Sequence, residues 1–240
     1  MTVSLIIPAY DEERYIGATL ESIKRAASYA FGEQTQLDII VVDNASTDAT
    51  AEIARSYGAR VIPEPHRSVA RARNVGASLA AGEILVFLDA DTLVPEGFFV
   101  RVTETMQDSC CFGGAVDTHH QSQRRWVRFY LLLWRHLGRM AHMAQGAAQF
   151  CRRDAFVLLG GYDEALYMGE DVDFYWRLRR LAKQRGGYAP LIADLQVTPS
   201  PRRFDRWSAW QILVWTNPIF IWLFRHRKSV WRGWYEQPVR

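Results

Sequence analysis

Lysine is nearly missing from this chain: of 29 basic residues only Lys24, Lys183 and Lys228 are not arginine. Arginine's planar fork suits phosphate groups, although a GC-rich coding sequence gives the same bias. Cysteine is scarce too. Cys110, Cys111 and Cys151 make neither an even-numbered framework nor a metal-ligand spacing, which excludes a disulfide scaffold and points to a reducing compartment. No apolar run reaches the roughly 20 residues of a spanning helix. Met1 to Arg14 has no basic leader ahead of its brief apolar run, so no secretory signal is expected. No G-x-x-x-x-G-K is present, and Gly160-Gly161 is too short for a dinucleotide fingerprint. Neither a P-loop enzyme nor a dehydrogenase is therefore indicated. Repeats, low-complexity tracts and long linkers are absent as well. What remains is an ordinary globular composition, 49% apolar and 23% charged over 240 residues, enough for one substantial core or two small ones.

The pattern alternates strands with helices. Val3–Ile7 reads as a strand stopped by Pro8, and Glu12–Ala30 has helical spacing through Ile16, Leu20 and Ile23. Leu37–Val42 is a second strand ending at Asp43, followed by turn and N-cap chemistry and a helix that Gly58 closes. Val61–Pro63 is a short strand, and Ser68–Ala81 is helical with Gly82 as its stop. Beyond residue 91, Pro95 opens a helix, Cys110–Val116 and Ala147–Cys151 are strand candidates, and Gly169 starts a helix running to about Arg185. This alternation predicts an α/β, Rossmann-like fold with a mostly parallel central sheet flanked by helices.

The chain is organised around Ile84-Leu85-Val86-Phe87-Leu88, five apolar residues that read as a strand buried on both faces. Asp89 and Asp91 follow at once. A buried strand cannot hydrate a charge, so both carboxylates belong at its carboxyl end, where open α/β sheets bind ligands. An extended local chain would point them to one side. Two hard oxygen ligands there suit Mg²⁺ or Mn²⁺, with substrate phosphates completing the shell.

Asp43, the Asp89/Asp91 pair and Glu170/Asp171 all follow strand ends or helix starts. With their surroundings, Ser4 to Glu13, Val41 to Thr50, Ala72 to Gly76, Phe87 to Thr92, Gly160 to Glu164 and Gly169 to Phe174, they resemble the family-two glycosyltransferases of GT-A fold. The resemblance covers roughly residues 3 to 180. It implies an inverting transfer of a sugar from a nucleotide-diphosphate donor, UDP-sugar favoured, to a hydroxyl acceptor. Asp43 would accept a hydrogen bond from the base, and Pro8, Tyr10 and Asp11 would line the first loop of the donor pocket. Asp91 would bind the divalent metal, Asp89 would support the ribose or metal, and Arg73 would lie near the nucleotide. Asp171 would take the proton from the acceptor hydroxyl, with Glu170 beside the acceptor. A diphosphate leaving group needs its growing charge neutralised, and the attacking hydroxyl needs a positioned base. Arg203-Phe204-Asp205-Arg206-Trp207 further resembles the Q/R-x-x-R-W motif of membrane-associated members. It would bring Arg203 and Arg206 to the diphosphate and Trp207 to the border of the acceptor. Polymer-extending relatives carry several transmembrane helices, and the lack of such a set argues against processive synthesis.

Two basic segments complete the reading. Thr118 to Arg153 holds seven arginines and no acid, and Arg202 to Arg240 holds eight basic residues against Asp205 and Glu236. Within the helix expected at about 121–143, Arg124, Arg125, Arg128, Arg135 and Arg139 fall on one side. Trp126, Phe129, Tyr130, Leu133, Leu137 and Met140 fall on another. Six of nine tryptophans lie between Trp207 and Trp234. Basic amphipathic helices rich in tryptophan suit an anionic membrane surface better than nucleic acid. The expectation is a catalytic domain over 1–200 and an interfacial helical tail over 201–240. The protein would be cytoplasmic, lying monotopically on the inner face of the cell membrane, and act on a lipid-linked or membrane-embedded acceptor. The alternative for both segments is burial against the core or a partner. Three rival functions stay open: a soluble enzyme with a water-soluble acceptor, an inactive scaffold of the same fold, and a phosphatase of the haloacid dehalogenase type. The last wants Thr or Val where Leu93 stands. His119 and His120 read as solvated loop histidines, and the sequence assigns no oligomeric state.

Overall fold

The long apolar runs of the first half become neighbouring strands. In the computed structural model, which describes residues 1–32, 37–141, 143–144 and 146–231, β1 (Val3–Ala9) is followed by α1 (Ile16–Phe31), β2 (Leu37–Asp43), α2 (Thr50–Ser56) and β3 (Arg60–Pro63). Then come α3 (Val69–Leu79), β4 (Ile84–Leu88), β5 (Thr92–Leu93), α4 (Phe98–Gln107), β6 (Gly113–Thr118) and α5 (Arg125–Met140). The chain continues through β7 (Ala148–Arg152), α6 (Arg153–Leu159), α7 (Glu170–Gln184) and β8 (Leu191–Pro199), and ends in α8 (Arg202–Arg206), α9 (Ala209–Trp215) and α10 (Pro218–Phe224). The strands order as β3-β2-β1-β4-β7-β6-β8-β5. β1 to β4 are mutually parallel, as expected from the helices that connect them. β7 enters antiparallel between β4 and β6, and β6 pairs parallel with β8. β5 and α6 were not foreseen, because two residues and seven residues are too short for periodicity to register.

Each sheet face has its own core. Leu5, Ile7, Val86 and Leu88 pack with Ile16, Leu20 and Ile23 of α1 and Phe98, Phe99 and Val102 of α4. Ile6, Ile40, Val42, Leu85 and Phe87 pack with α3, α6 and α7, where Phe87, Phe156, Tyr162 and Phe174 form an aromatic cluster. α3 lies close to the sheet because Gly76 faces Ile6: a Cβ there would come within 2.4 Å of the Ile6 side chain. Ser68 caps that helix by accepting from the Arg71 amide.

This topology positions the site. The chain leaves β1 to build β2 and β3 on one side, then returns through α3 to place β4 on the other, so β1 and β4 flank a switch in strand order. Crevices at the carboxyl ends of such strands bind ligands. Because β7 runs the opposite way, its entry segment, Gly146–Ala147, reaches the same edge, and the Asp89 amide donates to the Ala147 carbonyl at 3.2 Å.

The second half closes over α5. Val127 and Leu131 of that helix pack with Trp207 and Ile212, bordered by Tyr130, Phe204 and Trp215. Ser122 donates to Asp205 at 2.5 Å, and Arg124 donates to the carbonyls of Phe204 and Trp207. The helix runs from Arg125 to Met140, shorter than the expected 121–143; residue 142 lies outside the described residues. Trp234 and the basic residues Arg232 and Arg240 also lie outside them. No described helix is long and apolar enough to cross a membrane.

Candidate active site

Two loops at the ends of β1 and β2 form one wall of the crevice. Both contain a non-glycine residue at positive φ, Asp11 at 50° and Ala45 at 65°. The cost of that backbone is met by mutual hydrogen bonds. The Asp11 carboxylate accepts from the Thr47 amide at 2.7 Å and the Thr47 hydroxyl at 3.2 Å, and the Asp11 amide donates to Ser46 Oγ at 3.1 Å. Asp11 is therefore buried as a brace between the loops. Asp43, half-buried, accepts from the Ser46 amide at 3.1 Å, and Pro8 sits opposite Val42 one residue earlier in the sheet. The Tyr10 ring carries the Arg67 guanidinium 4.1 Å from its centroid.

Arg73 is the electrostatic centre. Its side chain is only 3% exposed, and it donates to Asp89 at 2.8 Å and to Glu170 at 2.9 Å. Its guanidinium lies over the Tyr162 ring and within 3.4 Å of the Gly146 carbonyl. Burial alone would lower its pKa, but Asp89 and the other negative groups around it hold the guanidinium firmly protonated. One arginine from α3 thus ties the end of β4 to the start of α7.

Asp171, next along α7, is half-buried. Its Oδ2 accepts from the Gly146 amide at 2.5 Å and its Oδ1 from the Val172 amide at 2.8 Å. Burial pushes the Asp171 carboxyl up, with Arg73 pulling it back; burial likewise lifts Glu170 to about 7, reinforced by the neighbouring Asp171 charge. Gly146 is what lets this carboxylate approach the backbone, since a Cβ there would lie 2.8 Å from the Asp171 Cβ.

Asp91 meets a different arginine from the Arg73 that holds Asp89. The chain turns after β4 rather than staying extended, with the Thr92 amide bonded to the Asp89 carbonyl at 3.2 Å. The condition for both carboxylates pointing to one side is therefore not met. Asp91 lies 3.2 Å from Arg202, which also donates to Glu12 at 2.7 Å and to its other carboxylate oxygen. The Arg202 guanidinium covers the Tyr15 ring at 4.4 Å. Burial raises the pKa of Asp91, against the pull of Arg202 and Arg203.

The structure therefore brings Asp43, Asp89, Asp91, Glu170, Asp171 and Arg73 to one sheet edge, together with Arg203, whose charge is felt by Asp91. Arg206 is exposed, while Trp207 is buried with Val127, Leu131 and Ile212 in the seam beneath α5. His119 and His120 line a separate cavity of about 520 Å³ with Arg128 and Arg135. Sequence reasoning missed Glu12, Arg202 and Gly146. Glu12 sits inside Asp11-Glu12-Glu13 and Arg202 one place before Arg203, so each adjoins a motif residue and carries no local signal of its own.

Among the described residues no group of three His, Cys, Asp or Glu side chains converges as a ready-made metal cage. Asp89 and Asp91 are nevertheless the right donors for a hard cation that takes one or two carboxylates and completes its shell from phosphates. The burial-raised pKa of Asp91 marks a carboxylate that gains from added positive charge.

Comparisons with known proteins bear on the fold and the family. Over 234 residues the chain is 26% identical to Glycosyltransferase AglE of Haloferax volcanii, covering 92% of this chain and 74% of that one. It is 36% identical over 107 residues to glucosyl-3-phosphoglycerate synthase of Mycolicibacterium paratuberculosis, and 30% identical over 126 residues to the poly(ribitol-phosphate) β-N-acetylglucosaminyltransferase TarS of Staphylococcus aureus. These two matches span only 31% and 20% of those relatives, respectively. The mannosyltransferase PcManGT of Pyrobaculum calidifontis, solved in complex with GDP-Man and Mn²⁺, superposes with a TM-score of 0.67 at 25% identity, covering 96% of this chain and 64% of that one. TarS in complex with UDP-GlcNAc gives 0.66 at 18% identity, covering 83% of this chain and 58% of that one. The fold is that of the GT-A glycosyltransferases. The family model for glycosyl transferase family 2 matches residues 4–158, and the chain belongs to that family.

Proposed function

We propose that the protein transfers a sugar, with inversion, from a nucleotide-diphosphate donor to an acceptor hydroxyl in a divalent-metal-dependent reaction. The observation that carries this reading is the gathering of Asp89, Glu170 and Asp171 around Arg73 at the carboxyl edge of the sheet, with Asp91 beside them on Arg202. Asp43 and the two braced loops offer the wall for the base and ribose, with a uridine nucleotide favoured. Asp91, with Asp89 behind it, would hold Mn²⁺ or Mg²⁺, which neutralises charge on the departing diphosphate. Arg203 reinforces that positive field. Asp171 takes the acceptor proton, and its Gly146 hydrogen bond fixes the carboxylate for that transfer. Glu170 stands at the acceptor side, held by Arg73. Relatives solved with GDP-Man and Mn²⁺ or with UDP-GlcNAc support a nucleotide-sugar donor. A thermal-shift screen of nucleotide sugars tests the donor. The matching donor with Mn²⁺, at about 100 times its Kd, should raise the melting temperature by roughly 5–10 °C. No shift with any nucleotide sugar, with or without metal, would overturn the reading.

We further infer that the enzyme works on an anionic membrane surface, on a lipid-linked or membrane-embedded acceptor, with residues 201–240 as the interfacial tail. Arg135 and Arg139 of α5 turn inward to the buried Asp117; the helix buries Val127 and Leu131, and Phe129, Leu133, Leu137 and Met140 stay exposed. Phe129 is 72% exposed and Met140 78%, and on α9 and α10 Trp210 is 74% and Trp222 64% exposed. An apolar helix face turned to water is the arrangement of a segment that lies in a bilayer interface. Arg225, Arg227 and Lys228 follow α10, placed to meet anionic headgroups. In liposome flotation the full-length protein should rise with anionic vesicles, and removing residues from Trp207 onward should release it. Protein that never floats and needs no detergent would leave the water-soluble acceptor as the better reading.

A further inference from the structure

Arg202 stands where a metal-dependent donor site has no evident use for it. It comes from the segment after β8, yet its side chain is only 10% exposed and is held by three other parts of the chain. These are Glu12 after β1, Asp91 after β4 and the Tyr15 ring at the start of α1. The Ser200 amide, two residues earlier, donates to the Asp91 carbonyl at 3.0 Å, so backbone and side chain both clamp the tail to the Asp89–Asp91 turn. Arg203 adds a second guanidinium within the field of Asp91 and Glu12. The carboxylate assigned to the divalent cation is therefore already paired with a cation of the chain itself.

A divalent ion reaching Asp91 would meet Arg202, which lies 3.2 Å from that carboxylate, with Glu12 and Asp89 as the neighbouring carboxylates. Like charges at that range repel strongly even at an effective dielectric near 20. A diphosphate reverses the balance, because its oxygens accept a guanidinium fork in bidentate fashion. We propose that Arg202 is the resting counter-ion of Asp91 and moves onto the donor's diphosphate when Asp91 takes up the metal, carrying α8 over the nucleotide. Metal and nucleotide then bind well only together, and α8 changes position with donor occupancy. The proposal rests on the metal-dependent donor reading above and adds an exchange of ion pairs to it.

Mn²⁺ binding, followed by the electron paramagnetic resonance of the free ion, and calorimetry with UDP and GDP test the exchange. Without nucleotide, Arg202→Gln should bind Mn²⁺ about tenfold more tightly than the wild type, because the competing cation is gone. With Mn²⁺ present it should bind its nucleoside diphosphate about tenfold more weakly or worse, because a charged hydrogen-bonding partner is lost. Arg202→Met repeats the test with an uncharged side chain that packs differently, should the glutamine variant not fold. Arg202→Lys, which keeps the charge, should leave Mn²⁺ binding near the wild-type level. Unchanged or weaker Mn²⁺ binding in the uncharged variants, alongside Mn²⁺-dependent nucleotide binding by the wild type, overturns the exchange alone. Tighter Mn²⁺ binding with unaltered nucleotide affinity overturns the move to the diphosphate. Failure of every protein to bind Mn²⁺, even with UDP or GDP, overturns the metal reading and the exchange with it.

Discussion

Asp171→Asn is expected to abolish sugar transfer, lowering kcat by about 10²–10⁴-fold, the usual contribution of a positioned general base. Nucleotide affinity should change little. The substitution keeps the shape, and the asparagine oxygen can still accept from the Gly146 amide that now holds Oδ2 at 2.5 Å. The base and metal contacts assigned to Asp43 and Asp91 are untouched. Folding should not suffer either: burial raises the pKa of Asp171, so the fold already disfavours its charged form. The same shift gives the wild-type enzyme a pH signature. A base must be deprotonated to act, so a raised pKa moves the loss of activity on acidification to higher pH than an ordinary aspartate would. Glu170, lifted to about 7 by burial and by the neighbouring Asp171 charge, lies beside it and titrates toward neutrality. The pH profile of kcat/KM should therefore climb through the acid range toward neutrality and flatten above it. Wild-type turnover by Asp171→Asn, measured by release of nucleoside diphosphate, would remove Asp171 from the role of base.

Arg73→Leu should be the most destabilising single substitution at the site. The guanidinium is the shared partner of Asp89 and Glu170, and Glu170 is only 9% exposed. Removing one member of a buried ion network leaves uncompensated charge and costs about 3–5 kcal/mol. For a chain of this size that corresponds to a fall of roughly 6–20 °C in melting temperature. The loss should be larger at pH 8 than at pH 5. Without Arg73 the folded-state pKa of Glu170 rises still further above its unfolded value, so the folded state gains relative stability as Glu170 takes up a proton on acidification. Melting curves at the two pH values measure this. A variant that melts like the wild type at both would show that Asp89 and Glu170 do not depend on Arg73.

Much of this site could be read from the residues in order. An apolar strand that ends in Asp89 has one place to put its charge, and helix-spaced residues between successive strands dictate parallel neighbours in β1 to β4. Asp171 was legible for a similar reason, as an acid at the first turn of a helix that a left-handed Gly169 introduces. The partners of these acids were not legible. Arg202 reaches Glu12 across 190 residues, and Arg73 reaches Glu170 across 97. No local rule connects such pairs.

The 121–143 segment divides in the same way. Period alone established that its arginines and its apolar residues lie on different sides. It could not say which side turns inward, because the same apolar stripe serves burial against a core or contact with a membrane interface. Asp117, brought by β6 beneath α5, draws Arg135 and Arg139 to the protein and leaves Phe129 and Met140 outside. Trp207 met the opposite outcome, drawn into the seam with Val127, Leu131 and Ile212. By itself the sequence determined the order of the longer strands and helices, the family motifs and the identities of the acids, since these rest on local spacing and side-chain chemistry. Only the tertiary structure decided which cation each acid meets and which face of α5 is left to solvent. Ion pairs and burial depend on distances through space, and those exist only once distant segments have packed together.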